Sequence, residues 1–258
     1  MDKRIGAQLF TLRDHIKTIE DFEQTCIKIK EMGYKIVQIS GTPLGAKEMR
    51  EVLDKYDISA YTTHRDAETF INNIDEVIEY NKTLGCDLCG LGIMPIEGAK
   101  SREDLDKFIA DMNKVCERLK KEGMYFGYHN HGFEFVKLDG KCVYDYLIEE
   151  TDPEIFNFIV DTYWVQYGGV NPAKLIEKLG KRAMAVHFKD FGVEIQDRTV
   201  PVIKEVGYGN LDWDSIISAC EKAGSRWAFV EQDSNWTNND PFLSMKMSYD
   251  FLSKKGFN

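Results

Sequence analysis

Eight times along the chain, a short run rich in β-branched and aromatic residues gives way to a segment whose apolar residues recur at helical spacing. The runs are 5–12 (IGAQLFTL), 35–40 (KIVQIS), 58–64 (ISAYTTH), 87–93 (DLCGLGI), 124–131 (MYFGYHNH), 156–161 (FNFIVD), 183–189 (AMAVHFK) and 227–232 (WAFVEQ). Strands that alternate with helices pair in parallel, because each return crossover needs a helix to cover the sheet. Eight such units in 258 residues predict an α/β protein: a closed (β/α)8 TIM barrel forming one domain over 1–258. The alternative is an open, doubly wound sheet. Against it, the first run leads into QLFTLRD, where a dinucleotide-binding sheet would carry a glycine-rich turn.

The helical segments mark their own ends. Ile19, Phe22, Cys26, Ile29 and Met32 form one apolar stripe, and Gly33 suits the left-handed residue that closes a helix. Leu105, Phe108, Ile109, Met112, Val115, Cys116 and Leu119 repeat the pattern before Gly123, and Gly85, Gly180 and Gly224 are expected to stop other helices. At 43% hydrophobic and 29% charged, the chain has enough apolar content for a large core. A net charge of −10 disfavours nucleic acid or an anionic membrane as the main partner, since both need basic surface. The start, MDKRIGAQLF, lacks the apolar region of a secretory signal, and no run has the length of a membrane span, so a cytoplasmic protein is expected. The six cysteines are scattered and read as reduced thiols, and Cys86 with Cys89, a CxxC without a second pair, reads as strand packing.

A barrel places its chemistry at the C-terminal ends of its strands. The first strand offers Gln8 and Arg13 there, the third His64, the fifth His129, His131 and Glu134, the sixth Asp161, the seventh His187 and Lys189, and the eighth Glu231 and Asp233. Any one acid or histidine closing an apolar run also fits a helix cap or a paired core group. Asp161, His187 and Glu231, however, close three successive strands and must converge on one mouth. With Glu134 or His129 from the fifth strand they form a carboxylate–imidazole set that suits Mn²⁺, Mg²⁺, Co²⁺ or Zn²⁺. No thiolate takes part, which argues against a structural zinc site. Lys189 lies two residues from His187 and shares its face if the strand runs that far, and could then reach a substrate oxygen. Phe10, Tyr128, Phe133, Trp164, Phe188 and Trp236 either stack on a sugar or pack the barrel.

QLFTLRD, YHNHGFEF, VDTYW, HFKD and VEQD, in this order over nearly the whole chain, resemble the sugar phosphate isomerase/epimerase family of xylose isomerase-like TIM barrels. That superfamily also includes ketose epimerases, inosose and dehydroshikimate dehydratases, and endonuclease IV-type repair enzymes. The resemblance implies one divalent metal ion, most often Mn²⁺, held by Glu, Asp, His and Glu from the fifth to eighth strands. Asp161, His187 and Glu231 carry over directly. Where relatives end the fifth strand in glutamate, this chain has His129, with Glu134 five residues on; Glu134, turned back at Gly132, is the expected ligand and His129 the alternative.

The implied activity is isomerisation or epimerisation of a sugar or keto-sugar by proton abstraction beside a carbonyl, through a metal-bound enediolate. Glu134 and Glu231 would exchange the proton, His131 or His129 would act as acid, and Gln8, His64, Trp164 and Lys189 would contact substrate. Expelling a β-hydroxyl or β-glycosyl group from a keto-sugar or 3-keto-glycoside would instead make the protein a dehydratase or lyase, an outcome the paired histidines keep open. An endonuclease IV-like phosphodiesterase would need a basic surface and more than five histidines. A non-catalytic sugar-binding protein is a third class, and a homo-oligomer is compatible with all of them. No glycine-rich phosphate cradle is visible, so the sequence does not commit the substrate to a phosphate.

Overall fold

The computed structural model describes residues 1–258. Eight parallel strands close into a barrel: β1 Ile5–Gln8, β2 Ile36–Ile39, β3 Ser59–Arg65, β4 Leu88–Leu91, β5 Tyr125–His129, β6 Phe156–Asp161, β7 Ala183–Phe188 and β8 Trp227–Val230. Each pairs with the next in sequence, and β8 returns to β1 with Ala228 opposite Ile5. At least one helix follows every strand, so the alternation in the sequence is a (β/α)8 barrel.

The helix Ile19–Met32 shows why the local signals work. Thr18 accepts a hydrogen bond from the Asp21 N–H, Phe22, Cys26 and Ile29 are buried, and Gly33 at φ +111° donates to the carbonyls of Ile29 and Lys30. In the helix Arg102–Lys121 the buried row is the expected one, from Leu105 to Leu119. Gly180 ends the helix Pro172–Leu179 at φ +54° as expected, and then opens a 3₁₀ turn, Gly180–Arg182. The first strand stops at Gln8, short of the expected residue 12, because the Gln8 side chain accepts from the Phe10 N–H and starts the 3₁₀ helix Leu9–His15. Two antiparallel hairpins in the strand–helix loops were not anticipated, Lys137–Leu138 with Lys141–Cys142 and Asp190–Ile195 with Thr199–Lys204.

The core has two shells. The larger fills the space between strands and helices. A smaller one, with Ile36, Leu88, Ile159, Trp227 and Phe229, fills the barrel. Its packing needs glycine at position 90, where a Cβ would stand 2.2 Å from the Thr63 carbonyl oxygen. At the N-terminal end Tyr61 stacks on Trp227 at 4.9 Å, and Arg226 covers the other ring surface at 4.0 Å. The axis is therefore plugged below and the polar cavity lies above, at the strand C-termini. Cys86 and Cys89 lie in the core, where burial pushes both thiols up. No helix is long and apolar enough to cross a membrane.

Candidate active site

The cavity at the C-terminal mouth has a volume of about 330 Å³ and is lined by polar groups from strands all round the barrel, including Gln8, His64, His129, His131, Lys189, Glu231 and Asp233. Beneath it His129, Asp161, His187 and Glu231 each offer a ligand atom, all within 4.8 Å of one another, and each of the four is buried. Such a set can hold a metal ion.

The local geometry explains how each side chain is aimed. β6 ends at Asp161, whose Oδ1 accepts from the Trp164 N–H and caps the next helix, so Oδ2 is left facing the mouth without a hydrogen-bond partner. His187 is fixed from behind: its Nε2 donates to Gln38 Oε1 at 2.5 Å, which turns Nδ1 toward the mouth. That Nδ1 is 2.8 Å from Glu231 Oε2 but not aligned for a hydrogen bond, and has no partner. Glu231 Oε1 accepts from Gln8 Nε2 at 2.7 Å. Lys189 extends past the end of β7, and its buried ammonium lies 3.3 Å from Asp161 Oδ2, 3.3 Å from Glu231 Oε2 and 2.6 Å from Asp233 Oδ2.

The charges follow from this packing. Burial alone would pull the Lys189 ammonium down, but Asp161, Glu231 and Asp233 outweigh it and hold it above its ordinary range. Burial opposes ionisation of Glu231 too, yet Lys189 and His187 keep this carboxylate well below the usual values. Asp161 is pushed up, chiefly by burial, with Glu231 adding to it. His64 is pushed down to about 3 by burial and the neighbouring His187, and His131 to about 4 by burial and Lys189. Both rings are therefore neutral at physiological pH.

Two features fit a divalent cation at the four-residue cluster. His129 Nδ1 and His187 Nδ1 are buried without a hydrogen-bond partner, and Asp161 Oδ2 has none beyond its ion pair with Lys189, which is costly unless something else satisfies them. Asp161, Glu231 and Asp233 crowd the single ammonium of Lys189, and burial with the neighbouring Glu231 pushes the Asp161 and Asp233 carboxyls up, a strain that a divalent cation would relieve.

The expected residues do not all meet. Asp161, His187 and Glu231 converge, and His129 joins them from β5. Glu134 does not. The 3₁₀ turn Phe133–Phe135 carries it away from the cluster, where Oε1 accepts from the Tyr128 hydroxyl at 2.7 Å and Oε2 from the His131 N–H at 2.9 Å. Fully buried there, it is pushed up to about 7. Gln8 lines the cavity, but its amide is engaged by Glu231 and the Phe10 N–H. Trp164 stands behind the cavity lining, with Lys189 Nζ 5.6 Å from its ring centroid. One residue was not singled out from sequence, Gln38, whose only signal is one amide in an apolar strand. Asp233, named at the end of the eighth strand without a role, pairs with Lys189.

The family model described as xylose isomerase-like TIM barrel matches residues 26–254. The chain belongs to this family. Among curated members, the chain is similar to an inosose dehydratase from Geobacillus thermodenitrificans (strain NG80-2), 24% identical over 71% of this chain and 65% of that one. It thus spans just under two thirds of that relative's length. Among solved structures it is similar to a sugar phosphate isomerase/epimerase from Parabacteroides distasonis ATCC 8503, with a TM-score of 0.78, 21% identity and 97% of each chain covered. A probable 3-DHS dehydratase, AsbF, from Bacillus anthracis gives a TM-score of 0.76 at 13% identity, over 98% of this chain and 99% of that one. At these identities the structural likeness speaks for the fold alone.

Proposed function

We propose that the protein is a divalent-metal-dependent dehydratase or lyase that removes the proton beside the carbonyl of a keto-sugar, or of a 3-keto-glycoside, and expels the β-oxygen substituent. The observation that carries this reading is the placement of Glu134. The proton exchange expected of an isomerase or epimerase pairs Glu134 with Glu231, but Glu134 is held by Tyr128 and the His131 N–H and does not line the cavity, whereas His64, His129 and His131 do. One wall thus bears His64, His129 and His131, and the other bears Lys189, Glu231 and Asp233.

His129, Asp161, His187 and Glu231 are the residues that would hold the metal ion. When bound, a divalent cation supplies Lewis acidity that favours negative charge on a carbonyl oxygen. His131 is neutral and faces the cavity, so it is suited to accept the proton beside the carbonyl. The Lys189 ammonium stabilises the oxygen on which negative charge develops. As the carbon–oxygen bond to the β-substituent breaks, the electron pair of the lost C–H bond becomes the new double bond. The imidazolium of His131 then returns its proton to the leaving oxygen, releasing water or an alcohol. Gln8 holds Glu231 in place, and Glu134, through the His131 backbone, holds the loop that carries the base.

The test is incubation of the metal-loaded enzyme with keto-sugars and 3-keto-glycosides in D₂O, followed by mass spectrometry. Loss of water or of an aglycone with formation of an enone, abolished in His131→Ala, is the expected result. Deuterium at the carbon beside the carbonyl with no loss of mass and an inverted or shifted centre would instead assign epimerisation or isomerisation.

A further inference from the structure

We infer that His64 is a direct donor to the metal site, which makes the site imidazole-rich and selects a late transition ion such as Co²⁺ or Zn²⁺ over Mg²⁺. The inference rests on the proposed metal site and narrows the ion it takes. His64 comes from β3, outside the strands that carry the other four donors. Its ligand atom nevertheless falls within 4.8 Å of those of His129 and His187, in a second group that shares these two rings with the first but does not include Asp161 or Glu231. The three rings form a compact triangle, with centroids 5.0 Å apart for His64–His129, 5.4 Å for His64–His187 and 4.5 Å for His129–His187.

A second observation is that two glycines, one in β4 and one just after it, pack against this ring. His64 is in register with Gly90, where a Cβ would stand 2.9 Å from the imidazole Cδ2. At Gly92 a Cβ would lie 3.4 Å from both His64 Cβ and Nδ1. Any larger residue at Gly90 would push the ring off its place in the triangle. A contact to substrate alone does not explain Nε2, which is buried without a partner. A ligand that accepts no hydrogen bonds but takes lone pairs does.

The consequence is chemical. Taken together, the two overlapping groups offer three imidazole nitrogens against two carboxylate oxygens, and imidazole suits Zn²⁺, Co²⁺ and Ni²⁺, whereas Mg²⁺ prefers oxygen and water. The carboxylate-rich set expected at first, with Glu134 on the fifth strand, would have favoured Mn²⁺ or Mg²⁺.

The experiment is calorimetric titration of the chelator-treated full chain with Co²⁺ and with Mg²⁺, for wild type and His64→Ala, together with the visible spectrum of the Co²⁺ form. Co²⁺ is expected to bind wild type at least roughly 100-fold more tightly than Mg²⁺. His64→Ala is expected to lose about 10–100-fold in Co²⁺ affinity, to change little toward Mg²⁺, and to shift the Co²⁺ absorption bands. Equal affinities for the two ions, or a Co²⁺ spectrum unmoved by His64→Ala, would overturn the inference and leave the metal site standing. Binding of neither ion by folded wild type would remove both. His64→Gln, which keeps a polar side chain in the same space, repeats the test should His64→Ala fail to fold.

Discussion

Replacing Glu134 with glutamine separates the two possible fifth-strand ligands. Glu134 is fully buried, and burial raises its carboxyl from the usual 4.5 to about 7. In the unfolded chain the same group titrates near its ordinary value. Below about pH 4.5 both states carry the proton, and the contribution of the buried acid to stability is fully present. Between that pH and about 7 the unfolded state releases its proton while the folded state keeps it, so stability falls as pH rises. The total loss across this window is about 3 kcal/mol. Glutamine is isosteric and does not titrate, so the difference in unfolding free energy between wild type and Glu134→Gln should itself move by about 3 kcal/mol over the window. The raised Asp161 is common to both proteins and cancels. Urea unfolding at a series of pH values measures the difference, and metal titration of the same two proteins should show unchanged affinity. A pH-independent difference would refute the burial argument. A loss of metal affinity of roughly tenfold or more would show that Glu134 is a ligand.

Gln38→Leu should weaken metal binding by about 10–100-fold, because the hydrogen bond that fixes the His187 tautomer is lost; calorimetry reads it directly. Asp190→Ala should destabilise the fold by roughly 3 kcal/mol or more in urea. Its carboxylate accepts from the Gly207, Gly209 and Leu211 N–H groups and from Trp213 Nε1, all of which would lose their partner.

The strand ends were readable because a lone polar residue after an apolar run has few places to go in a barrel. Asp161, His187 and Glu231 stood out for that reason, and a register fixed by parallel pairing brings them together. The helices were readable from caps and stripes, as at Thr18 and Gly33. The fifth strand was not. Whether Glu134 swings into the mouth or out of it depends on the turn after Gly132 and on the Tyr128 hydroxyl, a partner on the preceding strand whose reach no spacing rule reveals. Gln38 was missed because one amide among Ile36, Val37 and Ile39 looks like any buried polar group until its neighbour is known. His64 was singled out at its strand end as a substrate contact, but its place beside His129 and His187 comes from barrel closure and from the space left by Gly90, which no local pattern records.

The central claim is that His129, Asp161, His187 and Glu231 hold a metal ion. Anomalous diffraction at the cobalt edge from crystals grown with Co²⁺ tests it most directly. The account predicts a single strong peak among these four side chains, with His64 at its edge and Glu134 remote from it. A peak elsewhere, one bonded to Glu134, or none at saturating Co²⁺ would contradict it.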